Sequence, residues 1–462
     1  MKRQNRVAFF NILSVILLNG ISLLTAPLFS RILGTSGYGV LKIYNVWASV
    51  AAILFTLQTQ GTLVNARVEY PEERQRQYQS ATMALSVLVF LCCSAVVLVF
   101  LKPVSALLKL EPILIGFLLL QAFGTYCVNF LSTKNTYEFK AGRNMAISLA
   151  VTIVTLVLSI VWILQLPQET RYYGRVAAIA VTYGLVGIPA CVMILAQGRT
   201  LFHREYWKFC IVLAIPAVFH NLSDLILGQS DLVMLQQLEG DAAAGLYGLA
   251  WQFGNFLFII FGALNRTWCP FFFDEMKQGK QDAMLEKTRN FLELFTVLAC
   301  GFMLLTPEVY YLYGGSQYVE STAIIPLFVG SYYLNFLCTF PVNFEYYHKK
   351  TKVVAAVTIF SSLVNVALNY LFIKAIGMAG AALATMLSHG LQLVFHHIYT
   401  RFFLGKGDYP FPMGLWAKYA AAFLLVMGCV YLNSDRALVR WAMGACIGMA
   451  ELWNIRKRKV LI

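Results

Sequence analysis

The chain has 462 residues, 59% hydrophobic and only 13% charged, with a mean hydropathy of +0.66 and a formal charge of +14. Soluble domains carry about 25% charged residues, so this composition excludes a soluble enzyme and describes a polytopic membrane protein. The excess of Lys and Arg follows membrane topology and calls for no nucleic-acid partner.

A helix crosses a bilayer in about 20 apolar residues, and runs of that kind give fourteen predicted spans. Six lie near 8–33, 39–66, 79–101, 112–134, 144–165 and 173–197. Six more lie near 209–235, 246–270, 290–312, 321–346, 353–373 and 379–400, and a final pair near 414–432 and 437–454. With the N-terminus inside, 25 of the 36 Lys and Arg fall at inner ends and nine at outer ends. That split predicts an even number of spans with both termini in the cytoplasm. Connections are short, which leaves no room for a soluble catalytic domain. Ten cysteines sit in or beside apolar runs without ligand spacing, so they read as small buried residues, not as disulfides or a metal site.

An internal repeat organises the spans. LGTSGYG at 33–39 resembles LEGDAAAGLYG at 238–248, matching Tyr38-Gly39 to Tyr247-Gly248 at an offset of 209. The same offset takes Tyr137 to Tyr346 and Lys140 to Lys349, and an offset of 206 takes Gly174 to Gly380. Six spans separate the copies, so both enter the membrane in the same direction. The expected fold class is therefore all-α and polytopic: two pseudo-symmetric six-helix bundles around a central cleft, plus a C-terminal helix pair. The expected boundaries are an N-terminal bundle at 1–198, a cytoplasmic linker at 199–208, a second bundle at 209–405 and the extra pair with its basic tail at 406–462.

Ionisable groups inside spans are costly, roughly 2.5–3.5 kcal/mol for a central Asp, and mark candidate sites. Span 7 carries His220, Asp224 and Asp231 at steps of four and seven, on one helical face. Either they pair with neighbouring helices and hold the bundle, or they line a water-filled pathway as a gate or coupling site. Pro216 and Gly228 bracket the first of these acids, as bends in transporter helices do. Span 8 aligns Gln252, Asn255, Gly262 and Arg266 in one polar stripe. Arg266 either snorkels to the interface or, with Asn255 and Gln252, lines a cavity where its fork suits pyrophosphate oxygens. Arg31 closes span 1 four residues after Pro27, which predicts a bend there; it is an inward-turned cavity residue or an interface anchor. Glu345 beside His348, Lys349 and Lys350 reads as an inner-interface charge cluster. His389, His396 and His397 lack acidic or Cys partners at ligand spacing. No nucleophile elbow, P-loop or dinucleotide fingerprint occurs, so no catalytic residue is expected.

The segments APLFSRILGTSGYG (26–39), IPAVFHNLSDLILGQSDLVML (215–235), YYHKKTK (346–352) and NVALNYLFIKAIGMAGAALAT (365–385) resemble the Wzx-like polysaccharide flippases of the multidrug/oligosaccharidyl-lipid/polysaccharide exporter superfamily. The resemblance covers essentially the whole chain. It implies transfer of a polyprenyl-pyrophosphate-linked oligosaccharide across the bacterial cytoplasmic membrane for O-antigen, capsule or exopolysaccharide synthesis, by alternating access and without enzymatic chemistry. The polymerase and glycosyltransferases of such a pathway are candidate partners. By position Arg31 and Arg266 look like the cavity arginines of lipid II flippases, and Asp231 matches the acid of the family's SD-x-x-M/I-L segment. The resemblance assigns no role to Asp224, which rests on the residue pattern alone. No cofactor is implied, and Na+ or a proton remains the candidate coupling ion. A Na+- or H+-coupled multidrug exporter of the same superfamily is the alternative.

Overall fold

A computed structural model describes residues 3–279, 281–404 and 409–458, and these form helices with no strand among them. In lipid a backbone must satisfy its own hydrogen bonds, which a helix does within one segment. The elements in chain order are α1 (Arg3–Thr56), α2 (Leu63–Glu69), α3 (Glu72–Val99), α4 (Leu101–Leu108), α5 (Pro112–Tyr137), α6 (Ala141–Leu164) and α7 (Arg171–Gly198). They continue with α8 (Arg204–Glu239), α9 (Asp241–Gln278), α10 (Gln281–Gly314), α11 (Ile325–Tyr347), α12 (Thr351–Ile398), α13 (Met413–Leu432) and α14 (Ala437–Arg458).

Eleven described segments are long and apolar enough to cross a bilayer. Two of them each hold two predicted spans: α1 runs through spans 1 and 2, and α12 through spans 11 and 12. The joints are Gly34 (φ 70°, ψ 177°) in α1 and Ile376–Gly377 in α12, where Gly377 has φ 60°. Glycine takes these left-handed values without a Cβ clash. α14, the last predicted span, is not among the eleven. It holds to α10 through polar groups instead: Arg440, 2% exposed, pairs with Glu308, and Asn454 donates to Glu293 Oε1 at 2.7 Å. The bend expected from Pro27 falls at Gly34, because α1 stays helical through the proline. α8 likewise runs helical from Arg204 to Glu239 through Pro216 and Gly228.

α1 ends ten residues before the predicted end of span 2. Leu57 (φ 54°) and Gln58 (φ 42°) take left-handed backbone, at a cost of about 1–2 kcal/mol per non-glycine residue. Buried hydroxyls offset that cost. Ser86 Oγ donates to the Thr56 carbonyl at 2.6 Å, Thr59 meets Tyr126 at 2.7 Å, and Thr62 meets Tyr78 at 2.7 Å.

The chain divides into two compact units, Met1–Gly245 and Leu246–Ile462. The boundary lies one helix beyond the linker expected at 199–208, because α8 packs on α1 and α3. Trp207 Nε1 donates to the Ala81 carbonyl at 2.9 Å, and Tyr206 packs edge-on against Tyr70 and Tyr78. Unit two is built on an aromatic core: Phe253, Phe261 and Trp268 of α9 lie against Phe302, Phe295 and Phe291 of α10. Each such pair contributes about 0.5–1.5 kcal/mol beyond its buried area. All ten cysteines are free, and Cys92 and Cys446 are exposed instead of buried as expected.

The repeat is visible in the backbone, with a corrected register. Gly34 and Gly240 share the same extended left-side geometry, at an offset of 206. A Cβ on Gly39 would fall 1.8 Å from the Asp241 carbonyl oxygen, and one on Gly245 would fall 1.9 Å from that of Thr35. These two approaches are reciprocal at the same offset of 206, so Gly39 matches Gly245, not Gly248. The α5–α6 and α11–α12 corners are both Schellman caps. Lys140 N bonds Asn135 O at 2.8 Å, Lys350 N bonds Glu345 O at 2.8 Å, and Phe139 and Lys349 both sit at φ 58°. That corner has an offset of 210, which matches Lys140 to Lys350 and Tyr137 to Tyr347. Between α6 and α7 the offset returns to 206. The four residues missing from the second copy remove its connection, and α12 continues as one kinked helix.

Candidate functional site

The predicted site residues fall in both units, and each set is built by its own unit. In unit one, the α1 stretch from Phe29 to Lys42 gathers cations. Arg31 is exposed. Arg175 lies 3.9 Å over the Phe29 ring and donates to Ser159 Oγ at 2.7 Å, while Arg171 reaches the Ile32 carbonyl at 3.4 Å. Lys42 lies 5.1 Å from the Tyr38 ring centroid. Cation–π interactions of this kind strengthen when desolvated. Sequence reading placed Lys42, Arg171 and Arg175 at outer span ends and missed that Arg171 and Arg175 of α7 pack on the α1 stretch that carries Arg31 and Lys42.

α8 separates its three predicted site residues by depth. His220 Nε2 and Asp224 Oδ2 lie 3.5 Å apart, with 74% and 59% of their side chains exposed. Both partners lie on α8, four residues apart, so this pair does not tie α8 to another helix. Asp231 is buried, and its Oδ1 accepts from the Leu232 amide at 2.8 Å. The helix is anchored to the broken end of α1, where Asn221 Nδ2 donates to Gln58 Oε1 at 2.6 Å.

In unit two, α9 buries Phe253, Leu257, Phe261 and Trp268 on one side. Steps of 100° per residue put Gln252, Asn255, Gly262 and Arg266 on the opposite side. There Gln252, Asn255 and Gly262 are half-buried and Arg266 is exposed. Among the described residues no carboxylate lies within ion-pair distance of Arg266. The aromatic packing of α9 therefore orients the stripe, and the arginine remains available to an anion.

Glu345 is not an interface charge. It is fully buried, and its Oε1 lies 2.8 Å from His396 Nδ1, a partner 51 residues away that helical spacing does not reveal. Tyr409 and Cys338 lie close enough to add to its surroundings. A second polar group, the buried Asn365 and Asn369 with the half-buried Thr385, was also not singled out as a site. Asn369 donates to Asn365 Oδ1 at 3.0 Å, and Asn365 donates to Thr385 Oγ1 at 3.4 Å. Its signal was the i, i+4 spacing of two asparagines inside a span.

The sequence profile described as polysaccharide biosynthesis protein matches residues 6–276. A protein of the lsg locus of Haemophilus influenzae is 24% identical over 372 residues, covering 77% of this chain and 89% of its own length. An uncharacterised membrane protein of the same organism is 22% identical over 352 residues, covering 74% of this chain and 83% of its own length. Among solved structures, the lipid II flippase MurJ in an inward closed conformation shares the fold with a TM-score of 0.72 at 15% identity, covering 98% of this chain and all of that one. An inward-facing multidrug-resistance MATE transporter of the MOP superfamily gives a TM-score of 0.62 at 13% identity, over 84% of this chain and 96% of that one. The fold is thus that of multi-pass flippases and exporters, and the chain belongs to the polysaccharide biosynthesis protein family.

Proposed function

We propose that the chain moves a polyprenyl-pyrophosphate-linked oligosaccharide from the inner to the outer leaflet of the bacterial cytoplasmic membrane, for surface polysaccharide synthesis. The observation that carries this reading is Arg266. It is an exposed guanidinium on a polar stripe inside an apolar helix, with no carboxylate to neutralise it among the described residues. An unpaired charge at such a position is retained for a function, and its planar fork fits pyrophosphate oxygens in two parallel hydrogen bonds. Membership of the polysaccharide biosynthesis protein family supports a saccharide cargo. Arg31 is a second pyrophosphate contact in this reading, and Asn255 and Gln252 meet the polar head beyond the phosphates. The His220–Asp224 pair and Asp231 respond to a proton or Na+ during alternating access. Both termini lie in the cytoplasm, and the polyprenyl tail stays in lipid.

The test is complementation of a surface-polysaccharide mutant by Arg266→Ala and Arg31→Ala. We expect polymer to fall roughly 10- to 100-fold in Arg266→Ala, the equivalent of one charged hydrogen-bond pair worth about 1.5–3 kcal/mol. Full export by both variants, at normal protein level, would sink the proposal. A multidrug exporter coupled to Na+ or protons is the second reading, favoured by the exposed carboxylate of Asp224 on α8. It predicts drug hypersensitivity on deletion and intact surface polymer.

A further inference from the structure

Unit one carries a cavity of about 930 Å3 at one end of its helices, apart from every candidate transport residue named above. It lies between the α2–α3 connection, the first turns of α3 and the α5–α6 corner, and its size is that of a small-molecule site. Its walls supply four cations, Arg67, Arg76, Lys134 and Lys140.

Three of these cations are held in place. Lys134 is 6% exposed, and its Nζ donates to the neutral Gln197 Oε1 at 2.5 Å. The carboxylate beside it, Glu138, is 4.0 Å away and already holds Lys140 at 2.5 Å. Arg76, Lys140 and Arg143 add like charge around Lys134. Burying an ammonium without a close counter-ion is costly, so the wall is short of negative charge where Lys134 sits. Arg67 is fixed on two sides: its Nη1 donates to the Tyr137 carbonyl, and its guanidinium lies 5.4 Å from the Phe139 ring centroid. That ring is placed by a non-glycine residue in the left-handed position of the Schellman cap, φ 58°. Arg76 makes no ion pair among the described residues.

The rest of the wall suits a bare anion poorly. Glu72 and Glu73 stand at the first turn of α3, with Gln79 about two turns further, and Tyr70, Tyr137 and Phe139 add aromatic surface. Carboxylates repel a free phosphate but accept hydrogen bonds from hydroxyls. An uncharged sugar would leave Lys134 with only the shared Glu138 at 4.0 Å and Arg76 without an ion-pair partner among the described residues. One ligand class satisfies both halves of the wall. We propose that this cavity binds a phosphorylated sugar, with the phosphoryl group on Lys134, Arg67 and Arg76 and the hydroxyls on Glu72, Glu73 and Gln79. Recognition of the phosphosugar stands on the cavity alone. Its identification as the head of a lipid-linked saccharide arriving before transfer rests on the transport reading.

The experiment uses the full chain in phosphatidylcholine nanodiscs, titrated calorimetrically with glucose 1-phosphate, with glucose and with inorganic phosphate. A second arm places a polyprenyl-pyrophosphate-linked glucose in the disc and reads binding by intrinsic tryptophan fluorescence. Saturable binding of glucose 1-phosphate is expected, at least tenfold tighter than either half alone. Arg76→Gln and Lys134→Gln weaken it at least tenfold, and Phe139→Gly, which keeps the cap, weakens it less. Binding confined to the lipid-linked probe, with the same sensitivity to the variants, supports the site and assigns the ligand to a lipid headgroup. No saturable binding of either phosphosugar, or equal binding by wild type and both Gln variants, overturns the proposal. Full polymer export by Arg266→Ala and Arg31→Ala removes the transport reading and leaves a binding cavity in place, so the two fail separately.

Discussion

Single residues decide between structural and functional readings of the polar groups in these spans. Arg266→Lys is informative beside Arg266→Ala: an ammonium keeps the charge but not the fork. In the complementation assay Lys at 266 is expected to export more polymer than Ala and less than wild type. Glu345 belongs to the structural class. Both it and His396 are fully buried and 2.8 Å apart, and an orphaned buried polar group costs about 1–3 kcal/mol. Glu345→Ala is therefore expected to lower the unfolding temperature of the purified protein and its membrane level. Glu345→Gln keeps the shape and an acceptor oxygen, so it should lose less. Equal losses in the two variants would mean that the His396 interaction does not matter. Both residues were named from the sequence, but their pairing was not legible. Spacing along one helix reports i, i+4 neighbours, whereas this pair joins α11 to α12.

Helix crossings obey a geometry that the repeat makes testable. Gly39 and Gly245 each face a backbone carbonyl at a distance that no Cβ tolerates, as small residues do where membrane helices approach closely. Gly39→Ala and Gly245→Ala should each cost about 1–3 kcal/mol through overpacking, visible as a lower unfolding temperature. Gly228→Ala on α8 and Gly262→Ala on α9 meet nothing within 4 Å and should fold as wild type. If all four variants melt alike, the crossing is not a tight one. The repeat itself was legible, because left-handed glycines and basic corners leave marks in the letters. Its register was not. A Tyr-Gly pair recurs by coincidence one helical turn away from the structural match, and connections of unequal length move the offset between 206 and 210. Both α1 and α12 hid a joint for a related reason: when a connection shrinks to one or two residues, apolar runs merge and no loop composition announces the turn.

At the scale of the whole molecule, thirteen of the fourteen predicted spans were legible because the lipid core imposes them on composition; α14 is not among the segments apolar enough to cross. The division into units was less so, since hydropathy is blind to which helices pack together and α8 joins unit one through Trp207, Tyr206 and Asn221. Function is where flippase and drug exporter share one fold, so the deciding measurement is made on substrate and not on structure. A strain lacking this chain is expected to lose surface polymer and to accumulate the lipid-linked unit on the inner leaflet, scored by extraction of polyprenyl-pyrophosphate saccharides. The accumulation matters more than the loss, because a block in synthesis also removes polymer but leaves no lipid-linked intermediate behind. Wild-type chain should clear the pool and Arg266→Ala should not, since an arginine that meets pyrophosphate acts on the unit after it is assembled. An exporter of small cations would leave the pool unchanged and alter drug susceptibility instead. A deletion that accumulates nothing, keeps its polymer and becomes drug-sensitive would therefore move the polar groups of α8 and α9 from a pyrophosphate path to a cation path.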